Sequence, residues 1–134
     1  MMYFIDTNVV IDAIRSKNSQ NIANHFKNKT FTDIKVSSIV VAELEYGAQH
    51  SSDYEKRKTQ YKSFIQDFEI IPFTEKDAEI YGKIKEQLAI EGNLIGSNDM
   101  LIASIALSHN ATIVTHNVRE FSRVRGLKVE DWTI

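Results

Sequence analysis

Short apolar runs alternate with longer segments that carry apolar residues at helical spacing. The predicted strands are Tyr3 to Ile5, Ile34 to Ser37, Glu69 to Phe73, Ala111 to Thr115 and, at one edge, Leu127 to Val129. Strands that alternate with helices are typical of βαβ units, which build parallel sheets. The pattern therefore predicts an α/β fold, a three-layer α/β/α domain around a mainly parallel, four- to five-stranded sheet.

Polar residues that follow the strands predict where the helices begin. The predicted caps are Thr7 or Asn8 for a helix starting near Val9, Ser38 for one reaching about His50, the Ser52 to Glu55 capping box, and Thr74. Gly92 is a plausible stop for the helix after Thr74. An apolar helix is expected from about Asp99 to Ser108.

The composition suits one compact domain spanning residues 1–134, with 43% hydrophobic residues. Cysteine is absent, which excludes a thiolate metal site and a thiol nucleophile. The N-terminus has no basic stretch and its apolar run stops at Asp6, so we expect no signal peptide. No segment offers the roughly 18 consecutive apolar residues of a membrane helix. The expected location is the cytoplasm.

The net charge of −2 argues against a protein that binds nucleic acid through one large basic face. A nuclease is still compatible with this charge. If several acids are gathered in one metal pocket, the rest of the surface is more positive than the total suggests.

Three acids occupy equivalent places in the alternation of strands and helices. Asp6 ends the first strand, and Glu43 lies early in the helix after the second. Because the carboxyl ends of parallel strands share one edge of the sheet, these two can converge. Asp99 opens a helix that leads into a strand, so the alternation alone does not place it there. Its helical face continues into Ile102 and Ala103, however, and no lysine or arginine stands beside it.

Clustered carboxylates without histidine or cysteine ligands favour a hard cation such as Mg²⁺ or Mn²⁺. Such a site suits hydrolysis of phosphodiesters, because the cation activates water and stabilises the charge at phosphorus. Each acid alone has a simpler explanation. Asp6 and Asp99 could be helix caps or first-turn acids, and Glu43 could be a surface residue.

Four motifs in order resemble those of PIN domains, and the resemblance covers nearly the whole chain. The motifs are Asp6-Thr7-Asn8, Ser38 to Leu44 with Tyr46-Gly47, Asp99 to Ala103, and Thr115 to Phe121. The ending from Arg125 to Trp132 resembles that of VapC toxins. The resemblance implies a PIN-like fold and an Mg²⁺- or Mn²⁺-dependent endoribonuclease, the toxin of a type II toxin-antitoxin system.

The same resemblance implies roles and partners. Asp6 and Asp99 would be the firmest metal ligands and Glu43 would complete the catalytic site directly or through water. Asn8 and Thr115 would be accessory residues. The implied partners are an RNA substrate, with transfer RNA as one candidate, a VapB-type antitoxin and a second copy of the chain in a homodimer.

The fourth motif departs from the family pattern. Many PIN domains have an aspartate where Asn117 stands, and Glu120 occupies a place where relatives often have aspartate. Asn117 could orient a metal ligand or a phosphate. Glu120 could contact a metal ligand without binding the metal itself, or form only local bonds.

Four further side chains are candidate RNA contacts: His116, Arg119, Arg123 and Arg125. The alternative is an ordinary solvated face. Two other functions are compatible with parts of this pattern. A noncatalytic RNA-binding or interaction module could use the same fold without its acids. A haloacid-dehalogenase-like phosphatase also begins with an acid after the first strand, but its motif wants an aspartate where Asn8 stands.

Overall fold

The computed structural model describes residues 1–134 and contains one five-stranded sheet. Its strands are β1 Tyr3–Ile5, β2 Ile34–Ser37, β3 Glu69–Ile71, β4 Thr112–Val114 and β5 Lys128–Glu130. Their order is β3-β2-β1-β4-β5, and every neighbouring pair is parallel. The predicted α/β fold is confirmed, and all of the sheet is parallel.

Seven helices and one 3₁₀ turn connect the strands. The helices are α1 Thr7–Ile14, α2 Ser19–Phe26, α3 Ser38–His50, α4 Tyr54–Ile65, α5 Glu75–Ile90, α6 Ser97–Ser108 and α7 Val118–Phe121, and the turn is Phe31–Asp33. The sequence pattern did not predict α2, the turn or α7. Only Ile22 is buried in α2, and α7 is a single turn, so each offers few buried positions from which to predict a helix.

Both faces of the sheet are covered. Every residue of β1 and β4 is buried, and successive side chains of a strand point to opposite faces. Buried strands of this kind need helices on both sides, which gives the three layers. One cluster of 28 buried apolar residues forms the core. Trp132 extends it toward the C-terminus, with its ring centroid 5.3 Å from that of Tyr3.

Three helix starts differ from the predicted ones. Asp6, not Thr7 or Asn8, caps α1, and its carboxylate accepts a bond from the Thr7 amide. Ser37, not Ser38, caps α3 through the Val40 amide. Asp53, not Ser52, caps α4. In each case the residue whose side chain caps the helix is a neighbour of the predicted cap. Apolar periodicity does not fix a helix start to a single residue.

The later helix boundaries follow the sequence more closely. Thr74 caps α5, with Asp77 completing a capping box, and Gly92 follows the helix with a φ of +66°. That left-handed conformation favours glycine. The sixth helix begins at Ser97, so Asp99 lies in its first turn and does not open it.

The strand order creates a crevice at the carboxyl edge of the sheet. From β1 the chain continues to β2 on one side, whereas β4 lies on the other side. Open α/β sheets bind ligands at such a change of direction. Asp6 follows β1 and Thr115 follows β4, so both border this crevice. No helix in the structure is both long and apolar enough to span a membrane.

Candidate active site

Asp6 lies at the centre of the crevice and is only 4% exposed. One carboxylate oxygen accepts a bond from the Thr7 amide at 2.9 Å. The other accepts bonds from the Thr115 hydroxyl at 2.7 Å and the Asn8 amide at 3.2 Å. Burial raises the pKa of Asp6, and the bonds from Thr115 and Thr7 oppose that rise. The acid is therefore both a helix cap and a fixed member of the site.

Glu43 lies in the second turn of α3 and is half-buried. The Thr7 hydroxyl donates to its Oε1 at 2.6 Å, and the Asn98 amide donates to its Oε2 at 3.3 Å. Thr7 belongs to α1 and Asn98 to α6, so Glu43 is held between two helices that are distant in sequence. The predicted convergence of Asp6 and Glu43 is supported by this geometry, because Asp6 and Thr7 are adjacent.

Asp99 points into the same region from the first turn of α6 and is half-buried. Its pKa is raised to about 7, mainly by burial, and then by the negative charges of Asp6, Glu120 and Glu43. A carboxyl responds to neighbouring charges in this way only when they lie close in a poorly screened environment. These four acids thus form one electrostatically coupled group, hereafter the carboxylate cluster.

Asn117 bridges two members of the carboxylate cluster. Its side-chain amide donates to Asp99 Oδ2 at 3.4 Å and to Glu120 Oε2 at 3.1 Å. Its backbone N–H donates to the Thr115 hydroxyl at 2.9 Å. An amide at this position supplies donors where an aspartate would add a further negative charge. Asn117 therefore links the side chains of Asp99 and Glu120.

Asn8 joins the ends of β1 and β4. Its amide nitrogen contacts Asp6 and, at 3.4 Å, the hydroxyl of Thr115. Its carbonyl oxygen accepts a bond from the His116 backbone at 3.1 Å. Thr115 is fully buried and donates to Asp6, so both accessory residues hold that acid in place.

No cation neutralises the carboxylate cluster. The four ion pairs of the protein join Lys35 to Glu69, Lys58 to Glu45, Arg125 to Glu91 and His116 to Asp131. Grouped carboxylates are unstable without compensation, which a divalent ion supplies. No three acid or histidine side chains lie close enough together to hold a metal ion directly. The donors fit Mg²⁺ or Mn²⁺, which keep several waters and use one or two carboxylates.

The four predicted RNA contacts differ in whether their side chains already bond to other residues. Arg119 is exposed and its guanidinium bonds to no other residue. His116 is also exposed, with Nδ1 3.1 Å from Asp131 Oδ2. Arg123 donates to the carbonyls of two residues in the loop before α6, and Arg125 pairs with Glu91. These last two arginines thus hold the fold together at this edge.

Two features near the site were not predicted. Asn98 contacts Glu43 only because α6 packs near α3, and the sequence around Asn98 gives no sign of that contact. Glu45, two residues after Glu43 on α3, accepts bonds from the hydroxyls of Tyr61 and Tyr54. These bonds lower the pKa of Glu45 to about 2, and Tyr61 has its pKa raised to about 12. The network joins α3 to α4.

Comparison with known proteins identifies the family of this chain. Residues 3–127 match the PIN domain. Ribonuclease VapC2 of Rickettsia felis is 40% identical, and the match covers 98% of each chain. The tRNA(fMet)-specific endonuclease VapC of Salmonella typhimurium is 34% identical, again over 98% of each chain. A crystal structure of DNA-bound VapBC from Salmonella typhimurium superposes with a TM-score of 0.92 at 34% identity, covering 98% of both chains. The chain therefore belongs to the PIN-domain family and, within it, to the VapC ribonucleases.

Proposed function

We propose that this VapC ribonuclease hydrolyses phosphodiester bonds of a structured RNA, with Asp6, Glu43 and Asp99 as its catalytic carboxylates. The observation that carries the proposal is the carboxylate cluster. It lies at the crevice of a parallel sheet and contains no lysine or arginine partner. Burial, followed by the charges of the neighbouring acids, raises the pKa of Asp99 there to about 7.

Asp6 and Asp99 would hold Mg²⁺ or Mn²⁺ directly, and Glu43 would complete the site directly or through water. When bound, the cation supplies a more acidic water and stabilises negative charge at phosphorus. The side chains of this protein fix the ligands beforehand. Thr115 and Asn8 orient Asp6, Thr7 orients Glu43, and Asn117 orients Asp99 and Glu120. Ligands held by such bonds need little rearrangement when the cation binds.

The relatives guide the choice of substrate and partner. Two VapC proteins that are 33–34% identical to this chain bear the name tRNA(fMet)-specific endonuclease. Several similar structures are VapBC complexes. We therefore take transfer RNA as the first substrate to test and a VapB-type antitoxin as the partner. The homodimer is proposed on the family resemblance alone.

The test is Mg²⁺-dependent cleavage of RNA by the purified protein, with new 5′ ends mapped by sequencing. We expect Asp6→Asn and Asp99→Asn each to lower the rate more than about 100-fold, because even residues behind the ligands contribute about 10- to 100-fold. Asp67→Asn is the matched control, since Asp67 is exposed and makes no side-chain bond. Undiminished cleavage by the two site variants would remove their proposed roles. Absence of any metal-stimulated cleavage by the unmodified protein would favour a noncatalytic RNA-binding module.

A further inference from the structure

Asp131 and Thr133 hold the ring of His116, a contact that has no role in the metal site described above. Nδ1 of His116 lies 3.1 Å from Asp131 Oδ2 and 3.0 Å from the Thr133 hydroxyl oxygen. The imidazole is 66% exposed, whereas the side chain of Asp131 is only 11% exposed. We refer to these three side chains as the histidine clamp.

The strand register places the histidine clamp in line with the carboxylate cluster. The last residues of β1, β4 and β5 are paired across the sheet, so Asp6, Thr115 and Asp131, which follow them, form a row along its carboxyl edge. Neighbouring strands lie about 4.8 Å apart, which places Asp131 roughly 10 Å from Asp6. The backbone N–H of His116 also donates to Asn8, whose amide donates to Asp6. An RNA that reacts at Asp6 can therefore reach the imidazole with an adjacent nucleotide.

The contacts of Asp131 and Thr133 determine which ring nitrogen of His116 carries hydrogen. Burial raises the pKa of Asp131, but the bonds from Thr133 and His116 outweigh it and hold the pKa below its usual value. An ionised carboxylate only accepts hydrogen bonds, so the Thr133 hydroxyl, 2.6 Å from Asp131 Oδ1, donates its hydrogen there. Nδ1 thus faces two acceptors and must itself be the donor. In the neutral ring Nε2 then has the free lone pair.

Neither the carboxylates nor a bound cation would distinguish RNA from DNA. They act on the phosphodiester, and attack by water does not use the 2′-hydroxyl. RNA and DNA carry the same phosphates, so contacts with phosphate give no preference either. The 2′-hydroxyl is the group by which a protein distinguishes RNA from DNA at a given position. A residue that contacts this hydroxyl would supply selection for RNA.

We infer that His116 accepts, through Nε2, a hydrogen bond from the 2′-hydroxyl of a nucleotide next to the scissile bond, and that Asp131 and Thr133 position it for this contact. Both contacts of the ring within the protein use Nδ1, so Nε2 is available. A phosphate diester offers no hydrogen to that lone pair, whereas the 2′-hydroxyl does. The inference rests on the proposed ribonuclease function and adds selection for ribose.

The first measurement is the tautomer of His116 in the intact protein, read from the nitrogen NMR shifts of its ring at about pH 8, where histidine is ordinarily neutral. We expect hydrogen on Nδ1. Asp131→Asn should move it to Nε2, because the two Thr133 donors keep an oxygen at their position and turn the new amide group toward the ring. Hydrogen on Nε2 in the unmodified protein, or an unchanged tautomer in the variant, would overturn the positioning role.

The second measurement is the affinity for two labelled single strands of one sequence, one of RNA and one of DNA, by fluorescence anisotropy. All variants carry Asp99→Asn, so that the strands are bound and not cleaved. We expect this background to prefer RNA, and His116→Ala to reduce the preference by about three- to tenfold, the usual contribution of one hydrogen bond. Asn24→Ala removes an exposed polar side chain of α2 and is the control, which should leave the preference unchanged.

An RNA preference that His116→Ala leaves unchanged would overturn the inference. An equal loss of affinity for both strands would also overturn it, because it would assign the ring to a phosphate, which RNA and DNA share. Neither measurement requires cleavage, so failure of the sugar contact is distinguishable from failure of the proposed ribonuclease activity.

Discussion

Asp99 is the carboxyl whose ionisation its surroundings oppose most clearly. Its raised pKa means that, in the absence of a cation, the folded protein holds a proton that the unfolded chain releases near the ordinary value of 3.8. The folded state therefore binds more protons than the unfolded state between about pH 4 and pH 7, so its stability falls as the pH rises through that interval. Well above pH 7, where Asp99 is ionised in the folded protein, the whole of this loss of stability is present.

This reasoning predicts that Asp99→Asn stabilises the protein when divalent ions are removed. Asparagine has a similar shape and cannot ionise, so the repulsion from Asp6, Glu120 and Glu43 disappears. Chemical denaturation with a chelator present should show a gain at about pH 8 that shrinks at about pH 5, where the wild-type acid is already protonated. Equal or lower stability of the variant at about pH 8 would contradict the coupling. Asp67→Asn should show no such pH dependence.

Asn117 provides a second prediction at the same scale. Asn117→Ala removes the donors that hold Asp99 and Glu120, so the ligands should become less ordered. We expect cleavage at limiting Mg²⁺ to fall about 10- to 100-fold and the half-saturating Mg²⁺ concentration to rise. An exposed asparagine on α2, Asn24, provides the control substitution to alanine. An unchanged Mg²⁺ requirement would exclude the bridging role.

Some of these residue roles follow from the sequence and others do not. Asp6 and Glu43 were expected to meet because both follow the carboxyl ends of strands. The contacts of Thr7 and Asn98 with Glu43 depend on how α1 and α6 pack beside α3, which no local pattern encodes. The bridging role of Asn117 likewise depends on the place where α7 begins, and a four-residue helix has no periodicity to show that.

At the scale of secondary structure, helix capping determines where the site-bearing elements begin. The side chain of Asp53 accepts a bond from the Lys56 amide at 3.2 Å and caps α4. Ser52, which the capping-box spacing favoured, makes no side-chain bond. The two positions are adjacent and both residue types are good caps, so the sequence could not choose between them. Ser37 was missed for the same reason, whereas Asp6 was among the caps that the sequence suggested.

The capping assignment predicts unequal effects of two alanine substitutions. Asp53→Ala should lower the free energy of unfolding by about 1 kcal/mol, because an orphan backbone N–H at the start of α4 loses its acceptor. Ser52→Ala should change it by less than about 0.5 kcal/mol, as for most surface substitutions. Urea denaturation measures both. A larger loss for the serine variant would show that α4 begins differently.

The second helix shows why some elements cannot be predicted from pattern alone. It begins after Asn18, which is in a left-handed conformation without a side-chain capping bond. Its contacts include the C-terminus: His25 stacks on Trp132 with ring centroids 5.5 Å apart, and the Asn21 amide donates to the Thr133 carbonyl. Tertiary contacts of this kind stabilise a helix that local propensity leaves marginal.

For the whole molecule, the sequence predicted a parallel sheet, which the structure has. The candidate site was expected at the carboxyl edge of that sheet, which is where the carboxylate cluster lies. The strand order was not predictable, because apolar runs do not record which strands are neighbours. That order matters, since it places β4 beside β1 and brings Thr115 to Asp6. It thus converts two separate strand ends into one site.

The cluster also predicts how the stability of the entire domain responds to Mg²⁺. A ligand at 100 times its dissociation constant stabilises a folded protein by about 2.7 kcal/mol. Mg²⁺ needs ionised carboxylates, and both Asp6 and Asp99 have raised pKa values. At a fixed Mg²⁺ concentration, the rise in melting temperature should therefore be large at about pH 8 and small at about pH 5. A rise of equal size at both pH values would place the ion elsewhere.

The most direct test is to measure the pKa of the Asp99 carboxyl by carbon NMR, with and without Mg²⁺. We expect a value of about 7 in the metal-free protein and a large decrease when Mg²⁺ is added. A metal-free value near the ordinary 3.8, or a value that Mg²⁺ leaves unchanged, would contradict this expectation.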